Sequence, residues 1–251
     1  MKDYIATIVK NEKIAENIHA VTFDLGEKTD VRCGQFGNIF LEGTHLLRRP
    51  IAICKVDGTQ ITFCYQIKGE GTQKLKTMGA GTSLNVLLPL GNGFYIEENE
   101  QKIALVGGGV GVFPLISVLR EYGAKKEISA YIGYRNKGAV CGVDEFEKAT
   151  KFVGVTDDGS YGEKMNAVQA FEVDLNKGNR PDVVLACGPT PMLRALKALV
   201  EKENLPCYVS LEERMGCGIG ACLVCVCNLT NGEHARVCKD GPVFNAKDVE
   251  I

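Results

Sequence analysis

Ile103-Ala104-Leu105-Val106-Gly107-Gly108-Gly109-Val110-Gly111-Val112-Phe113-Pro114 is the stretch on which the fold turns. Four consecutive apolar residues read as a buried strand, and the glycines that follow read as a loop. Pro114 suits the first turn of the next helix, which the pattern carries to Tyr122. Val112 stands where the third glycine of G-x-G-x-x-G would be, so the dinucleotide fingerprint is incomplete. The physics of that fingerprint survives, because a bare backbone admits a ligand closely and a helix N-terminus attracts phosphate. A glycine-rich turn with no ligand is the competing reading.

Outward from that stretch, strands alternate with a helix. Ile128–Gly133, Phe152–Thr156 and Val183–Cys187 read as strands, and Pro191–Lys202 as a helix with Leu193, Leu196, Leu199 and Val200 on one face. This alternation predicts a parallel sheet with right-handed crossovers over residues 100–207. Ligands of such sheets bind at the carboxyl ends of the strands. Cys187-Gly188-Pro189 ends one strand there, and Asp157-Asp158-Gly159 follows another. Carboxylates at Asp157 and Asp158 suit ribose hydroxyls and repel a 2′-phosphate, which leans toward NAD; a solvated Asp/Gly turn explains them equally well.

Before residue 100 the pattern differs. Ile5–Val9, Ile18–Leu25, Phe36–Leu41, Gln60–Ile67 and Ser83–Leu88 are short β-branched and apolar runs between turn residues, which predicts a small antiparallel barrel over residues 1–99. Within it, Arg48-Arg49-Pro50-Ile51-Ala52 places arginine before a strand, and Gly69-Glu70-Gly71-Thr72 precedes a helix at Gln73–Thr77. Arginine's paired donors and the N–H groups and hydroxyl at Gly71-Thr72 suit a diphosphate, although a surface turn also accounts for the first.

The last piece, residues 208–251, is rich in cysteine. Cys217, Cys222, Cys225 and Cys238 are spaced C-x4-C-x2-C-x12-C, with Gly216, Gly218 and Gly220 interleaved. The first three match the plant-type ferredoxin run that holds a [2Fe–2S] cluster. The small residues let backbone wrap round such a cluster and aim N–H groups at its sulfurs. A four-cysteine zinc site more often uses two C-x2-C pairs, and only Cys222/Cys225 supplies one. Cys227 is read as a bystander.

Composition sets bounds. The chain has 251 residues, 45% hydrophobic and 24% charged, which is ordinary for a globular protein of two compact domains and a small appendage. A net charge of −2 gives no electrostatic ground for nucleic acid or an anionic membrane as partner. Met1–Lys10 lacks the apolar core of a signal peptide, and Ile103–Leu119 is too short and glycine-rich to span a bilayer. Eleven cysteines with no leader fit a reducing cytoplasm, their thiols free or metal-bound. His19, His45 and His234 are scattered, beside no nucleophile or metal-ligand spacing, and read as surface or packed residues.

Taken in order, Arg49-Pro50-x-Ala52, Gly71-Thr72, Gly108-Gly109-x-Gly111-x-x-Pro114 and Cys187-Gly188-Pro189 resemble the ferredoxin–NADP reductase superfamily. Glu212–Cys222 and Cys238–Phe244 narrow the likeness to the electron-transfer subunits of NAD-dependent (class 1B) dihydroorotate dehydrogenases. The resemblance implies an FAD barrel contacted at Arg49, Pro50, Ile51, Ala52, Tyr65, Gln66, Ile67, Gly71 and Thr72. It implies a pyridine-nucleotide domain and cluster ligands at the four cysteines. The superfamily's R-x-Y-S flavin motif lacks its tyrosine at Ile51 and its hydroxyl at Ala52. It further implies an FMN-containing catalytic subunit that oxidises dihydroorotate in pyrimidine (UMP) synthesis, in a heterotetramer of two of each chain. Electrons would run from that FMN through [2Fe–2S] and FAD to NAD+. The parts agree chemically, since NAD+ takes two electrons as hydride, a cluster passes one, and a flavin exchanges either. With no acid–base constellation of its own, the chain is not expected to oxidise dihydroorotate alone. Its loop Gly218–Leu223 is expected at the subunit interface. Two alternatives stand beside this. One is the small subunit of an NADH-dependent ferredoxin:NADP oxidoreductase or sulfide dehydrogenase; the other is a non-enzymatic zinc or redox-sensing module on the same fold.

Overall fold

The computed structural model describes residues 1–43 and 47–251; His45 lies outside the described residues. The first domain holds β1 (Lys2–Ala15), β2 (Ile18–Asp24), β3 (Phe36–Ile39), β4 (Arg49–Asp57), β5 (Gln60–Gln66), helix α1 (Glu70–Lys76) and β6 (Ser83–Leu90). The strands close into an antiparallel barrel in the order β1-β2-β5-β4-β3-β6. Alternation decides which side chains fill it. Val21 and Phe23 of β2 meet Ile61, Phe63 and Tyr65 of β5 inside, while Thr22 and Thr62 bond through their hydroxyls (2.9 Å) on the other face. Asp57 pairs with Gln60 across a two-residue turn whose Gly58 has φ 65°, the hairpin geometry that favours glycine.

The second domain contains β7 (Lys102–Gly108), α2 (Val112–Tyr122), β8 (Glu127–Tyr134), α3 (Val143–Phe146), β9 (Lys151–Thr156), α4 (Ala167–Asn176), β10 (Val183–Cys187), α5 (Thr190–Lys202) and β11 (Cys207–Ser210). The expected parallel sheet is present, and its order places β7 between β10 and β8. The uniformly apolar strand now has its reason. Ile103 and Leu105 pack into the core on one side of the sheet, Ala104 and Val106 into the core on the other.

The C-terminal segment forms a hairpin of β12 (Val226–Asn228) with β13 (His234–Arg236), then β14 (Val243–Asn245). β14 adds antiparallel to β11 at the edge of the six-stranded sheet, and Leu211 N–H donates to the Pro242 carbonyl (2.9 Å). Asn92, just past the barrel, donates through its N–H to the Gly241 carbonyl (2.6 Å). The segment is therefore stitched to both domains. Its apolar side, with Cys225, Cys227, Ala235, Val237 and Cys238, packs on Phe36 and Leu90 of the barrel. This explains why all four residues of β3 are buried: Gly37 and Ile39 face the barrel, Phe36 and Asn38 face the cysteine module.

A salt-bridge group joins the first two domains. Glu145 of α3 accepts from Lys55 of β4 (2.7 Å), from Arg120 of α2 (3.3 Å) and from Lys148 (2.8 Å). Burial pushes its carboxyl up, and the bonds from Lys148 and Lys55 outweigh that, holding it down at about 2.

Candidate functional site

Each of the four module cysteines has a backbone N–H aimed at its sulfur. Ile219, Ala221 and Cys222 donate to Cys217 Sγ at 3.4, 3.3 and 3.4 Å, and Cys217 N–H donates to Cys222 Sγ at 3.3 Å. Gly220 N–H reaches Cys238 Sγ at 3.1 Å, and Cys238 N–H reaches Cys225 Sγ at 3.4 Å. The loop can do this because Gly218 and Gly220 adopt φ 72° and 82°, the left-handed region, and turn successive N–H groups inward. Burial raises the Cys217 thiol, but the N–H groups of Ile219, Cys222 and Ala221 more than reverse this, to about 6. Burial and the neighbouring Cys225 sulfur push Cys238 up to about 12. The guanidinium of Arg236 bonds Asp240 (2.8 and 3.0 Å) and the Gly220 carbonyl (3.2 Å), which holds the loop over Cys238. Sulfurs ringed by backbone donors are the setting of an iron–sulfur cluster, whose inorganic and thiolate sulfurs carry the negative charge. Among the described residues no three His, Cys, Asp or Glu side chains close on a single metal ion. Cys227 pairs with Ala235 across the hairpin, and its buried thiol is raised.

Along the flavin-type segments, Arg49, Pro50, Ile51 and Ala52 open β4 and are all half-buried. Arg49 and Gly71, far apart in sequence, meet in space, since a Cβ on Gly71 would stand 2.1 Å from Arg49 Nε. Only glycine lets the guanidinium lie across the start of α1. The Thr72 hydroxyl accepts from the N–H of Lys68 (3.0 Å) and Gly69 (3.2 Å) and donates to the Gly69 carbonyl (3.0 Å), so it serves the local turn. Tyr65 points into the barrel, with its hydroxyl on Asn11 Oδ1 (3.2 Å) and its phenol raised by burial to about 12. Gln66 and Ile67 remain half-buried beside it.

The glycine loop after β7 and Cys187-Gly188-Pro189 after β10 lie in contact. A Cβ on Gly111 would meet the Cys187 carbonyl oxygen at 2.4 Å, and one on Gly108 would meet Met192 Sδ at 2.8 Å and Pro189 Cδ at 3.2 Å. Gly109 takes φ 56° with open space around its Cα. β7 and β10 are the pair at which the sheet order turns, where open α/β sheets bind ligands. Burial raises the Cys187 thiol to about 12, with the Ser210 hydroxyl bonding it from the next strand. Asp157 and Asp158 follow β9, two strands from β7 and therefore about 10 Å away on the same side. Asp158 Oδ1 accepts from Ser160 N–H (2.9 Å) and Oγ (2.6 Å), bonds that hold its carboxyl below the usual range. Asp157 and Asp158 are both exposed.

Sequence reading passed over Asn38, Arg236 and Asp240. The last two carry a signal in their i, i+4 spacing; Asn38 carries none. Of the histidines, His19 is buried against Tyr65 and His234 is exposed.

A two-domain reductase fold with an iron–sulfur module folded back onto its barrel is the class these features define. The C-terminal residues 212–250 match the iron–sulfur cluster binding domain of dihydroorotate dehydrogenase B. The chain is 40% identical to the electron transfer subunit of dihydroorotate dehydrogenase B (NAD(+)) of Bacillus pumilus, covering 100% of this chain and 99% of that one. It is 38% identical to the same subunit of Caldanaerobacter subterraneus, with 97% of each covered. The chain belongs to this family of electron-transfer subunits. Among solved structures it resembles an NADH-dependent reduced ferredoxin-NADP oxidoreductase (TM-score 0.84, 28% identity, 98% of this chain and 90% of that one). Phthalate dioxygenase reductase shares the fold at 16% identity (TM-score 0.68, 94% of each chain).

Proposed function

We propose that this chain is the electron-transfer subunit of an NAD-dependent dihydroorotate dehydrogenase B, serving pyrimidine (UMP) biosynthesis. The observation that carries the reading is the ring of backbone donors on Cys217, Cys222, Cys225 and Cys238 within a family-matched segment. Those four thiolates hold a [2Fe–2S] cluster in this reading. Arg49 with Gly71 cradles the FAD diphosphate, and residues 49–52 and 65–67 line the flavin. Gly108, Gly109, Gly111 and Cys187-Gly188-Pro189 receive NAD, with Asp157 and Asp158 facing its ribose. When bound, these groups supply one-electron exchange at iron, one- or two-electron exchange at flavin, and hydride acceptance at NAD+. The chain's own work is to hold them at fixed spacing, to keep water from the flavin and to tune the cluster through N–H bonds.

The catalytic partner carries FMN and oxidises dihydroorotate, and the assembly is a cytoplasmic heterotetramer of two of each chain. The partner face is the cluster loop, where Ile219 (44% exposed), Leu223 (62%) and Val224 (55%) are apolar residues left in solvent beside Cys222. Side chains of that kind at a redox centre suit a docking protein. No helix among the described residues is long and apolar enough to cross a membrane.

Iron, sulfide and flavin analysis of the anaerobically purified chain tests the cofactor assignment. The expected result is two irons and two sulfides per FAD, bleached by NADH; a colourless protein containing zinc would overturn it. The likeness to the ferredoxin-NADP oxidoreductase gives the runner-up, a different partner on the same cofactors.

A further inference from the structure

Asn38 stands between the two places where electrons would reside. It lies on β3, paired with Pro50 at the start of the flavin-type strand, and its side chain faces the cysteine module. It is 1% exposed. Its Nδ2 donates to the carbonyl of Cys217 (3.4 Å), and a Cβ on Gly218 would strike that same nitrogen at 2.0 Å. Its Oδ1 has no hydrogen-bond partner among the described residues. Exchanging the two ends of the amide would set oxygen against the Cys217 carbonyl, so the orientation is fixed by that bond. A buried acceptor without a donor costs stability, and an apolar side chain of the same size would remove the cost. An asparagine kept there needs another use, and the one side-chain bond it makes among the described residues goes to the first cluster ligand.

We propose that Asn38 is a positioning residue for electron transfer. It clamps the Cys217–Gly218 peptide to the flavin strand, which fixes both the spacing of the two centres and the N–H groups that reach Cys217 Sγ. The inference rests on the function proposed above. Hydrogen bonds to sulfur stabilise the reduced, more negative cluster, so loosening them moves its potential downward.

The test is Asn38→Leu in the full chain holding FAD and cluster, followed by electron paramagnetic resonance during a redox titration and by unfolding in urea. The unfolding midpoint is expected to hold or rise. The cluster signal is expected to change shape, and the reduced-to-oxidised ratio at fixed potential to fall about tenfold, which is about 59 mV for one electron. Loss of the cluster with FAD retained also supports the clamp. If the leucine variant loses FAD as well, Asn38→Ala carries the same expectation for the cluster signal and potential, because it adds no branch; the void it leaves lowers the unfolding midpoint. An unchanged midpoint potential and spectrum in the variant that keeps its FAD overturns the proposal. A parent chain that shows no cluster signal would instead overturn the function on which it rests.

Discussion

Replacing Gly111 with alanine should separate the two loops proposed to receive NAD. The backbone at Gly111 is itself undemanding, with φ −64° and ψ −9°, so alanine meets no torsional penalty. The difficulty is space. The new Cβ would lie 2.4 Å from the Cys187 carbonyl oxygen, 2.5 Å from its carbon and 2.6 Å from Gly188 nitrogen, where ordinary contact begins at 3.4 Å. All three are backbone atoms, and no side-chain rotation relieves them. The loops must part by 3.4 − 2.4, or about 1 Å. A displacement of that size in a site that aligns reacting atoms costs on the order of 100-fold in rate, about 2.7 kcal/mol. The assay is NADH-dependent ferricyanide reduction by the purified chain, with flavin and cluster absorbance as the measure of folding. A fall in kcat/KM of about 100-fold with an unchanged visible spectrum is expected. A Gly111→Ala variant within threefold of the parent would refute the view that these loops, in contact, form the nucleotide site.

Other outcomes follow from the same structure. Cys225→Ser should abolish the cluster's resonance signal and its iron, whereas Cys227→Ser should retain both, since Cys227 stands outside the set of four. Glu145→Gln leaves Lys55, Lys148 and Arg120 without their shared carboxylate. A shift from 4.5 to about 2 is worth at most about 3.4 kcal/mol, and discounting for the solvent reached by Lys148 gives about 1–2 kcal/mol of lost stability in urea. Because that carboxyl is depressed, its contribution is whole above about 4.5 and declines only as pH falls toward about 2; the deficit should be equal at pH 7 and pH 5.5. Leu223→Asp should weaken association with the catalytic subunit at least tenfold, read by size-exclusion chromatography of the mixed subunits, because it places a charge in the exposed apolar patch.

The fold was legible where side-chain periodicity had a single cause. Ile103–Val106 announced a two-sided strand because both faces of the sheet are covered, and the short alternating runs announced the barrel. β4 was harder to see, since Pro50 interrupts its start, a position strands tolerate only where no ladder bond is needed. α4 was missed although Asn166 and Gln169 form a reciprocal cap (3.0 and 2.9 Å). Its inner face sets two small alanines, Ala167 and Ala170, beside Val168 and Phe171 and ends on Asp174, a buried carboxylate that Lys151 (2.5 Å) and Asn179 (3.0 Å) satisfy. Such a face has weak periodicity. The four cysteines proposed as cluster ligands stand out by spacing alone. What spacing does not encode is contact between segments far apart in sequence: Arg49 over Gly71, Gly111 against Cys187, and Asn38 beneath Cys217 join residues 22, 76 and 179 positions apart. Those contacts build the proposed site.

The central claim is tested most directly by dihydroorotate-dependent reduction of NAD+ in the native complex, isolated anaerobically through a tag on this chain. NADH formation, absent when either subunit is assayed alone, is the predicted result. No NADH from a preparation that still holds flavin and cluster and is reduced by NADH would contradict it, and would move the partner to the ferredoxin or sulfide class.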